Sequence, residues 1–283
     1  MTMQKGTEGT GGLTVWIRII SALLGIPLLV FVLTTGGKAL TIALTIVALI
    51  ALAEFYGVFK AKEIFPFQAI GLLSSAAINV VAGIYGQKVF GLTVTIIIAC
   101  TVACFITMII QNRARIDDLG ITLVGIVYIP VIMSLLQLIY NRDQGNILVW
   151  LVFVIAWLGD TFAYFIGISL GRHKLCPSIS PKKSVEGAIG GLLGSVAGAM
   201  AFGYFAWKLY GMDLEMINLA VIGLIGGISA QLGDLTASII KRYAGVKDFG
   251  SIMPGHGGIL DRFDSVLFTI PIVYIGMGTH LLF

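Results

Sequence analysis

Charged residues are scarce in this sequence. Asp, Glu, Lys and Arg make up 11% of the 283 residues, whereas 58% are hydrophobic, and the mean hydropathy is +1.00. A soluble domain carries about 25% charged residues, so this composition excludes a water-soluble fold and predicts a membrane protein. The net charge of +4 is small and gives no indication of nucleic-acid binding.

Cysteine is also scarce. Cys100, Cys104 and Cys176 lack the C-x-x-C spacing and the partnering histidines of a zinc site, and they do not form the pattern of a disulfide framework. Cys100 and Cys104 are four residues apart in an apolar run, so we expect both to pack inside a helix. The sequence therefore gives no support to a fold that depends on disulfides or zinc.

Long apolar runs, in contrast, occupy most of the chain. A membrane-spanning helix needs about 20 mostly apolar residues, and we predict an all-α polytopic membrane protein with about nine such helices. The predicted segments are roughly 15–35, 39–59, 66–86, 89–110, 119–140, 146–170, 187–210, 216–240 and 264–283. We expect the polar, glycine-rich residues 1–12 to be a disordered tail or an expression remnant.

Lysine and arginine are unequally divided between alternate loops. One set of loops holds fourteen of the 18 residues, and the other set holds only four, Lys38, Lys88, Arg142 and Lys208. Because cytoplasmic loops carry an excess of positive charge, this division predicts a cytoplasmic N-terminus in the cell membrane. It also places the two long polar loops, 171–186 and 241–263, in the cytoplasm.

Glycines recur every four residues in the predicted span 187–210. Gly190, Gly194 and Gly198 form one series, and Gly187 with Gly191 forms a second. Small residues at this spacing let membrane helices approach closely. We interpret these glycines as a packing surface, and we leave a further role open for Gly187, which lies at the cytoplasmic end of the helix.

Asp160 and Asp234 are acidic residues within the predicted spans 146–170 and 216–240. An ionisable group costs at least about 2.5 kcal/mol near the centre of a membrane, so Asp160 and Asp234 each need a partner or a function. A polar contact between helices is one interpretation, and for Asp160 we leave it open. Asp234, Ser238, Lys241 and Arg242 are spaced i, i+4, i+7 and i+8 and share one helical face. These polar neighbours favour a functional site around Asp234.

The loop 241–263 combines turn-forming residues with charges. Residues 254–258, PGHGG, disfavour a helix and expose backbone N–H groups that can surround an anion. Asp261 and Asp264 follow, near the start of the next predicted span. Helix N-capping explains Asp261 alone. Carboxylate oxygens beside Lys and Arg are the groups that Mg²⁺-assisted phosphate chemistry requires, and we expect such chemistry here.

The loop 171–186 ends in S-P-K-K-S at 180–184, directly before a predicted helix whose N-terminus favours anions. Its hydroxyls and two lysines suit a phosphate group. A basic loop is equally explained by membrane topology or by attraction to anionic lipid headgroups, and charge alone does not decide between these interpretations. The positions of Ser184 and Glu186 do not match a capping box, so capping explains only part of the pattern.

The charged C-terminal residues follow the pattern S-x-x-K-R-x-x-x-x-K-D-x-x-x-x-x-P-G-H-G-G-x-x-D-R-x-D over 238–264. This long, gapped pattern resembles the signature of the phosphatidate cytidylyltransferase (CDP-diacylglycerol synthase) family. WLGD at 157–160 and SPKKSVEG at 180–187 resemble upstream motifs of that family. The resemblance is specific over about 155–283 and implies a catalytic part over 146–283, whereas the helices in 13–145 are similar only in length and hydrophobicity.

The resemblance implies transfer of CMP from CTP to phosphatidic acid, giving CDP-diacylglycerol and pyrophosphate. We expect Mg²⁺ as the cofactor and leave open a second cation. The expected metal ligands are Asp234 and Asp261, and Asp264 is expected either as a third ligand or as a residue that orients the other two. Asp160 is a less certain ligand, and its alternative role is to support Lys182. The expected catalytic residues are Asp234, Asp261, Asp264, Lys241 and Arg262. The expected substrate-binding residues are Ser180, Lys182, Lys183, Ser184, Glu186, Ser238, Arg242, Lys247, Asp248, Gly255, His256, Gly257 and Gly258.

Two other functions fit the same polar groups. A CTP-dependent polyprenol or dolichol kinase would transfer the γ-phosphoryl group and release CDP. A secondary transporter would also have intramembrane carboxylates and glycine-broken helices, but it would not need two charged loops. We expect membrane lipids and no nucleic acid as partners. A homodimer is compatible with the family resemblance, although the glycine-rich helices can serve equally well within one subunit.

Overall fold

The computed structural model describes residues 25–112, 115–252 and 257–278, and these are almost entirely helical. The N-terminal half contains α1 (Gly25–Thr35), α2 (Gly37–Val58), α3 (Gln68–Tyr85), α4 (Val89–Ile110), α5 (Ile116–Ile126) and α6 (Ile132–Tyr140). The C-terminal half contains α7 (Gly145–Leu170), β1 (Lys174–Cys176), β2 (Ser180–Ser184), α8 (Val185–Tyr210), α9 (Met216–Ala244) and α10 (Leu260–Gly278). Short 3₁₀ turns, Phe59–Lys62 and Gly86–Lys88, follow α2 and α3.

Six helical segments among the described residues are long and apolar enough to cross a membrane. One of them, Gln68–Ile110, contains both α3 and α4, which the turn Gly86–Lys88 separates. The side chains of Ile109 and Ile110 are 77% and 79% exposed, as suits a surface that faces lipid. The prediction of an all-α polytopic membrane protein is confirmed at this level. The count of nine crossings and the orientation stay predictions.

Some predicted features lie outside the described residues. They are the tail 1–12, the first part of the span 15–35, and residues 279–283 at the end of the last span. Within the described residues, Cys100 and Cys104 are free and buried in α4, as predicted.

Glycines let α7 and α8 pack closely, which confirms the packing prediction. A Cβ atom on Gly194 would lie 2.6 Å from Cβ of Phe162, and one on Gly198 would lie 2.6 Å from Cδ1 of Leu158. These distances leave no room for a side chain, so the two backbones approach as small residues allow. Helix α9 in turn contacts α7, α8 and α10 and therefore connects the other helices of the C-terminal half.

Helices α5 and α6 are joined by a π-helical turn, Val127–Val131, which contains Pro130. Proline has no backbone N–H, so it disturbs the regular hydrogen bonds of a helix. The sequence predicted an uninterrupted span at 119–140 and did not predict this turn. It carries Tyr128, whose ring packs edge-on against Phe55 and Phe268.

The predicted loop 171–186 contains a small antiparallel hairpin. Lys174 pairs with Ser184 and Cys176 pairs with Ser180, with an irregularity between them. Lysine, serine and proline are not strong strand formers, so the sequence carried little signal for this pairing. The location of the polar segment was predicted correctly, but its regular structure was not.

Helix α10 begins at Leu260, four residues before the predicted start at 264. Asp261 and Asp264 therefore both lie in the first turns of the helix rather than on either side of its start. A buried cluster that includes Phe55, Tyr128, Phe249 and Leu260 lies beside this helix start and joins the N-terminal helices to it. The helix start is thus supported by both halves of the chain.

Candidate active site

The C-terminal half of α9 contacts the hairpin through its charged side chains. Asp234 forms an ion pair with Lys183 of β2. Arg242 donates from Nε to the backbone oxygen of Ile179, 3.4 Å away, in the turn between the strands. The predicted polar face of α9 therefore exists, and two of its members hold the hairpin beside it.

A second pair joins α9 to α10. Lys241 donates from Nζ to Oδ1 of Asp261 at 2.7 Å, and both side chains are largely buried. The other carboxylate oxygen of Asp261 accepts hydrogen bonds from the backbone N–H groups of Phe249 at 2.8 Å and Gly258 at 2.9 Å. Because a charge-assisted hydrogen bond is stronger than a neutral one, Asp261 firmly joins the start of α10 to the segment that precedes it.

Asp264 and Asp160 meet at Ser265. The Ser265 hydroxyl donates to Oδ2 of Asp160 at 2.8 Å, and the Ser265 backbone N–H donates to Oδ1 of Asp264 at 2.8 Å. A Cβ atom on Gly233 would lie 2.5 Å from the backbone oxygen of Asp264, so α9 and α10 nearly touch here. The neighbouring Asp234 is close enough to both aspartates for its charge to act on them.

The side chains of Ser184 and Glu186 support the hairpin and the start of α8. Ser184 is the N-cap of α8, and its hydroxyl accepts from the Gly187 N–H at 3.1 Å. Glu186 accepts from the backbone N–H of Arg172 at 3.1 Å and pairs with Nδ1 of His173 at 2.6 Å. Capping therefore accounts for Ser184 without a capping box. The predicted substrate contacts of these two residues stay predictions.

The other predicted site residues differ in exposure. Exposed charged residues near the two polar segments are Lys182, Arg242, Lys247, Asp248 and Arg262. Ser180, Ser238 and Gly257 are partly exposed, whereas Gly258 is buried. Gly257 has φ +83°, a conformation that favours glycine. Gly255 and His256 lie outside the described residues. The structure thus brings Lys183, Asp234, Lys241, Asp261 and Asp264 into one connected region, with several exposed cations at its edge.

Glu54 of α2 belongs to this region, and the sequence interpretation missed it. Its carboxylate accepts from the backbone N–H of Ile259 at 3.1 Å and of Leu260 at 2.9 Å, at the start of α10. The capping role that the sequence offered to Asp261 is therefore performed by Glu54. A signal was present, because Glu54 is the only charged residue between Lys38 and Lys60 in an otherwise apolar run.

The donor atoms fit a hard divalent cation such as Mg²⁺, which prefers oxygen ligands. Among the described residues, no three Asp, Glu, His or Cys side chains are already arranged around one point. An ionised carboxylate has about four acceptor sites, and Asp261 uses three of them on N–H donors. Capacity for one further partner remains, so the chemistry of this residue is compatible with a metal.

The Tyr128 hydroxyl is a further sign of an incomplete polar site. It is buried and has no hydrogen-bond partner within the described ranges. A buried hydroxyl without a partner costs about 1–3 kcal/mol. Asp264, Asp234 and Asp261 are close enough for their charges to act on it. The Tyr128 hydroxyl can therefore form a hydrogen bond with a further polar group in this region.

Known proteins match the chain along nearly its whole length. The model of the cytidylyltransferase family matches residues 16–280. A phosphatidate cytidylyltransferase of Staphylococcus aureus (strain COL) is 36% identical over 266 residues, which cover 92% of this chain and 97% of that protein. A phosphatidate cytidylyltransferase of Staphylococcus haemolyticus is 33% identical over 262 residues, with the same two coverages. Since the matches include both the apolar helices and the polar region described above, the chain belongs to the cytidylyltransferase family.

Proposed function

We propose that this protein transfers CMP from CTP to phosphatidic acid and produces CDP-diacylglycerol and pyrophosphate. The observation that carries the proposal is the likeness, over 92% of the chain, to relatives named phosphatidate cytidylyltransferase. The connected carboxylates and cations of α9, α10 and the hairpin provide groups suited to that chemistry.

The reaction needs no nucleophile from the protein. An oxygen of the lipid phosphate attacks the α-phosphorus of CTP, a new P–O bond forms, and the bond from the α-phosphorus to the bridging oxygen breaks, so that pyrophosphate leaves. Both substrates are polyanions, so the main requirement is neutralisation and alignment of charge. Lys241 acts from within the region, while the exposed Arg242, Lys247 and Arg262 are placed to bind phosphate groups from its edge.

Asp234 and Asp261 are the proposed ligands of Mg²⁺ on the CTP phosphates, with Asp264 beside them and Asp160 as an alternative ligand. When bound, the ion supplies positive charge to the phosphate oxygens. The residues of the chain perform the positioning. Asp261 keeps Lys241 and the segment before α10 in place, and Ser265 orients the carboxylates of Asp160 and Asp264. A second cation remains part of the proposal as an open alternative.

We place this site at the cytoplasmic surface of the cell membrane, in a chain with nine crossings and a cytoplasmic N-terminus. The division of fourteen against four basic residues between alternate loops supports this orientation. At that surface, phosphatidic acid can arrive from the bilayer while CTP arrives from water. A homodimer is compatible with this arrangement, and the site as proposed uses residues of one chain.

A product assay tests the proposal. Purified protein is incubated with CTP labelled in the cytidine, phosphatidic acid and Mg²⁺, and lipid and aqueous products are separated. The expected result is label in a CDP-lipid together with release of pyrophosphate. Release of CDP with phosphorylation of an alcohol lipid would identify a kinase instead. Movement of a substrate into sealed vesicles without CTP consumption would identify a transporter.

A further inference from the structure

We propose that Glu54 is a positioning residue that couples the N-terminal helices to the active site, because it fixes both ends of segment 251–257 and the first turn of α10. Glu54 lies near the end of α2 and is only 8% exposed. The geometric part of this inference stands on the contacts of Glu54 alone, and its catalytic part rests on the proposed function.

The first contact of Glu54 is a cap from a distant helix. The first N–H groups of an α-helix have no partner within the helix and are usually satisfied by a side chain just before it. At α10 the acceptor comes from 205 residues earlier, since Oε1 of Glu54 accepts from Ile259 and Oε2 accepts from Leu260. The negative charge also suits the positive end of the helix dipole.

The second contact involves two glycines that lie on either side of segment 251–257. A Cβ atom on Gly258 would lie 2.5 Å from Oε2 of Glu54 and 2.6 Å from its Cδ. A Cβ atom on Gly250 would lie 2.6 Å from the same Cδ. The carboxyl group therefore packs directly against the backbone at both ends of the segment, and a Cβ atom at either glycine would require this group to shift.

These contacts continue into the proposed catalytic residues. Gly258, which the Glu54 carboxyl group contacts, and Phe249, which precedes Gly250, are the residues whose N–H groups donate to Asp261. Asp261 in turn holds Lys241. Displacement of the Glu54 carboxylate would therefore move the donors of Asp261 first and the Lys241 pair second. This series of contacts distinguishes a positioning role from a simple polar contact between helices.

The test begins with Glu54→Gln, which keeps the size of the side chain but replaces one acceptor oxygen with an NH₂ group. That group would face a backbone N–H, so one of the two capping bonds is lost. We expect amide hydrogen exchange in the peptide 247–261 to become at least about tenfold faster, in keeping with loss of a charge-assisted bond. We also expect kcat for CMP transfer to fall at least about tenfold, with a much smaller change in KM for CTP. The control is Glu63→Gln, an exposed residue in the turn after α2.

A second set of variants uses Gly250, which lies outside the proposed catalytic set. Gly250→Ala should lower the melting temperature of the detergent-purified protein, because the new methyl group meets the Glu54 carboxylate. In a Glu54→Ala background this collision is absent, so the same substitution should lower the melting temperature clearly less. An equal decrease in melting temperature in the two backgrounds would contradict the contact.

The outcomes separate the two parts of the inference. Unchanged exchange in 247–261 for Glu54→Gln would overturn the positioning role altogether. Faster exchange with unchanged kcat would overturn its importance for catalysis. If the wild-type protein makes no CDP-diacylglycerol, the proposed function fails, while faster exchange in the variant would still support the structural contact.

Discussion

The two polar segments that flank α9 are held in place in different ways. The hairpin is held together by main-chain pairing between β1 and β2. The backbone N–H of Val185 also donates to the backbone oxygen of His173 at 2.9 Å. The segment between α9 and α10 is held by two carboxylates, Asp261 and Glu54, which accept four backbone hydrogen bonds between them. A hairpin should therefore tolerate the loss of one side chain, whereas the second segment should not.

Asp261→Asn should have the largest effect, because it acts on the segment that depends on side chains. The amide has one acceptor oxygen in place of two, and the buried Lys241 loses its counter-charge. We expect CMP transfer to fall by at least about 100-fold, comparable to the loss of a main electrostatic contact in other active sites. Initial rates with saturating substrates measure it. The matched control is Asp213→Asn, an exposed residue between α8 and α9, and more than half of the wild-type rate for Asp261→Asn would contradict the assignment.

Asp234→Asn should have the next largest effect, because Asp234 contacts the hairpin through Lys183 and also lies beside Asp264. We expect activity to fall by about 10- to 100-fold. If the pair acts as a unit, the double variant Asp234→Asn/Lys183→Met should be no less active than Asp234→Asn alone. A loss equal to the product of the two single losses would show that the two residues act independently.

Glu186→Gln tests whether the hairpin tolerates the loss of one side-chain contact. The strand pairing and the Ser184 cap remain when the contacts of Glu186 with Arg172 and His173 are weakened. We therefore expect about a threefold loss of activity at most, as for other exposed ion pairs. A loss near 100-fold would instead indicate that Glu186 contacts a substrate directly, and it would remove the contrast between the two segments.

Lys182→Gln should have the smallest effect and tests whether the hairpin contributes charge to substrate binding. Lys182 is exposed, so its attraction for CTP should be weak and sensitive to salt. We expect about a two- to threefold rise in KM for CTP at low ionic strength, which should shrink at high ionic strength. Lys208→Gln, at the end of α8, is the control and should leave KM unchanged. If the Lys182 variant and the wild type have equal KM values for CTP, the charge of Lys182 does not contribute to CTP binding and serves only membrane topology.

The sequence was sufficient for features that depend on local composition or a continuous pattern. The apolar runs predicted helices, and the glycine spacing predicted the close packing of α7 and α8, because both signals repeat within one helix. The polar face of α9 was also predicted, since Asp234, Lys241 and Arg242 follow helical spacing and all three make contacts beyond their own helix.

Features that depend on distant residues were not predicted. The sequence placed the start of the last span at 264, where the apolar run begins, and offered Asp261 as a local cap. In the structure the acceptor for the N–H groups of Ile259 and Leu260 comes from the distant Glu54. The pairing of Lys183 with Asp234 joins residues far apart in the chain, and no local spacing indicates it. The π-helical turn around Pro130 and the polar hairpin likewise depend on surrounding contacts more than on residue preference.

The contact between Glu54 and the start of α10 limits how far the chain could be shortened. A fragment that begins at residue 146 would keep the whole charged signature of the C-terminal part. It would nevertheless lack the acceptor for Ile259 and Leu260, and also the aromatic residues Phe55 and Tyr128 that pack beside Phe249 and Phe268. We therefore expect that α7–α10 alone do not form an active enzyme. A shortened protein must also contain α2, which supports the start of α10.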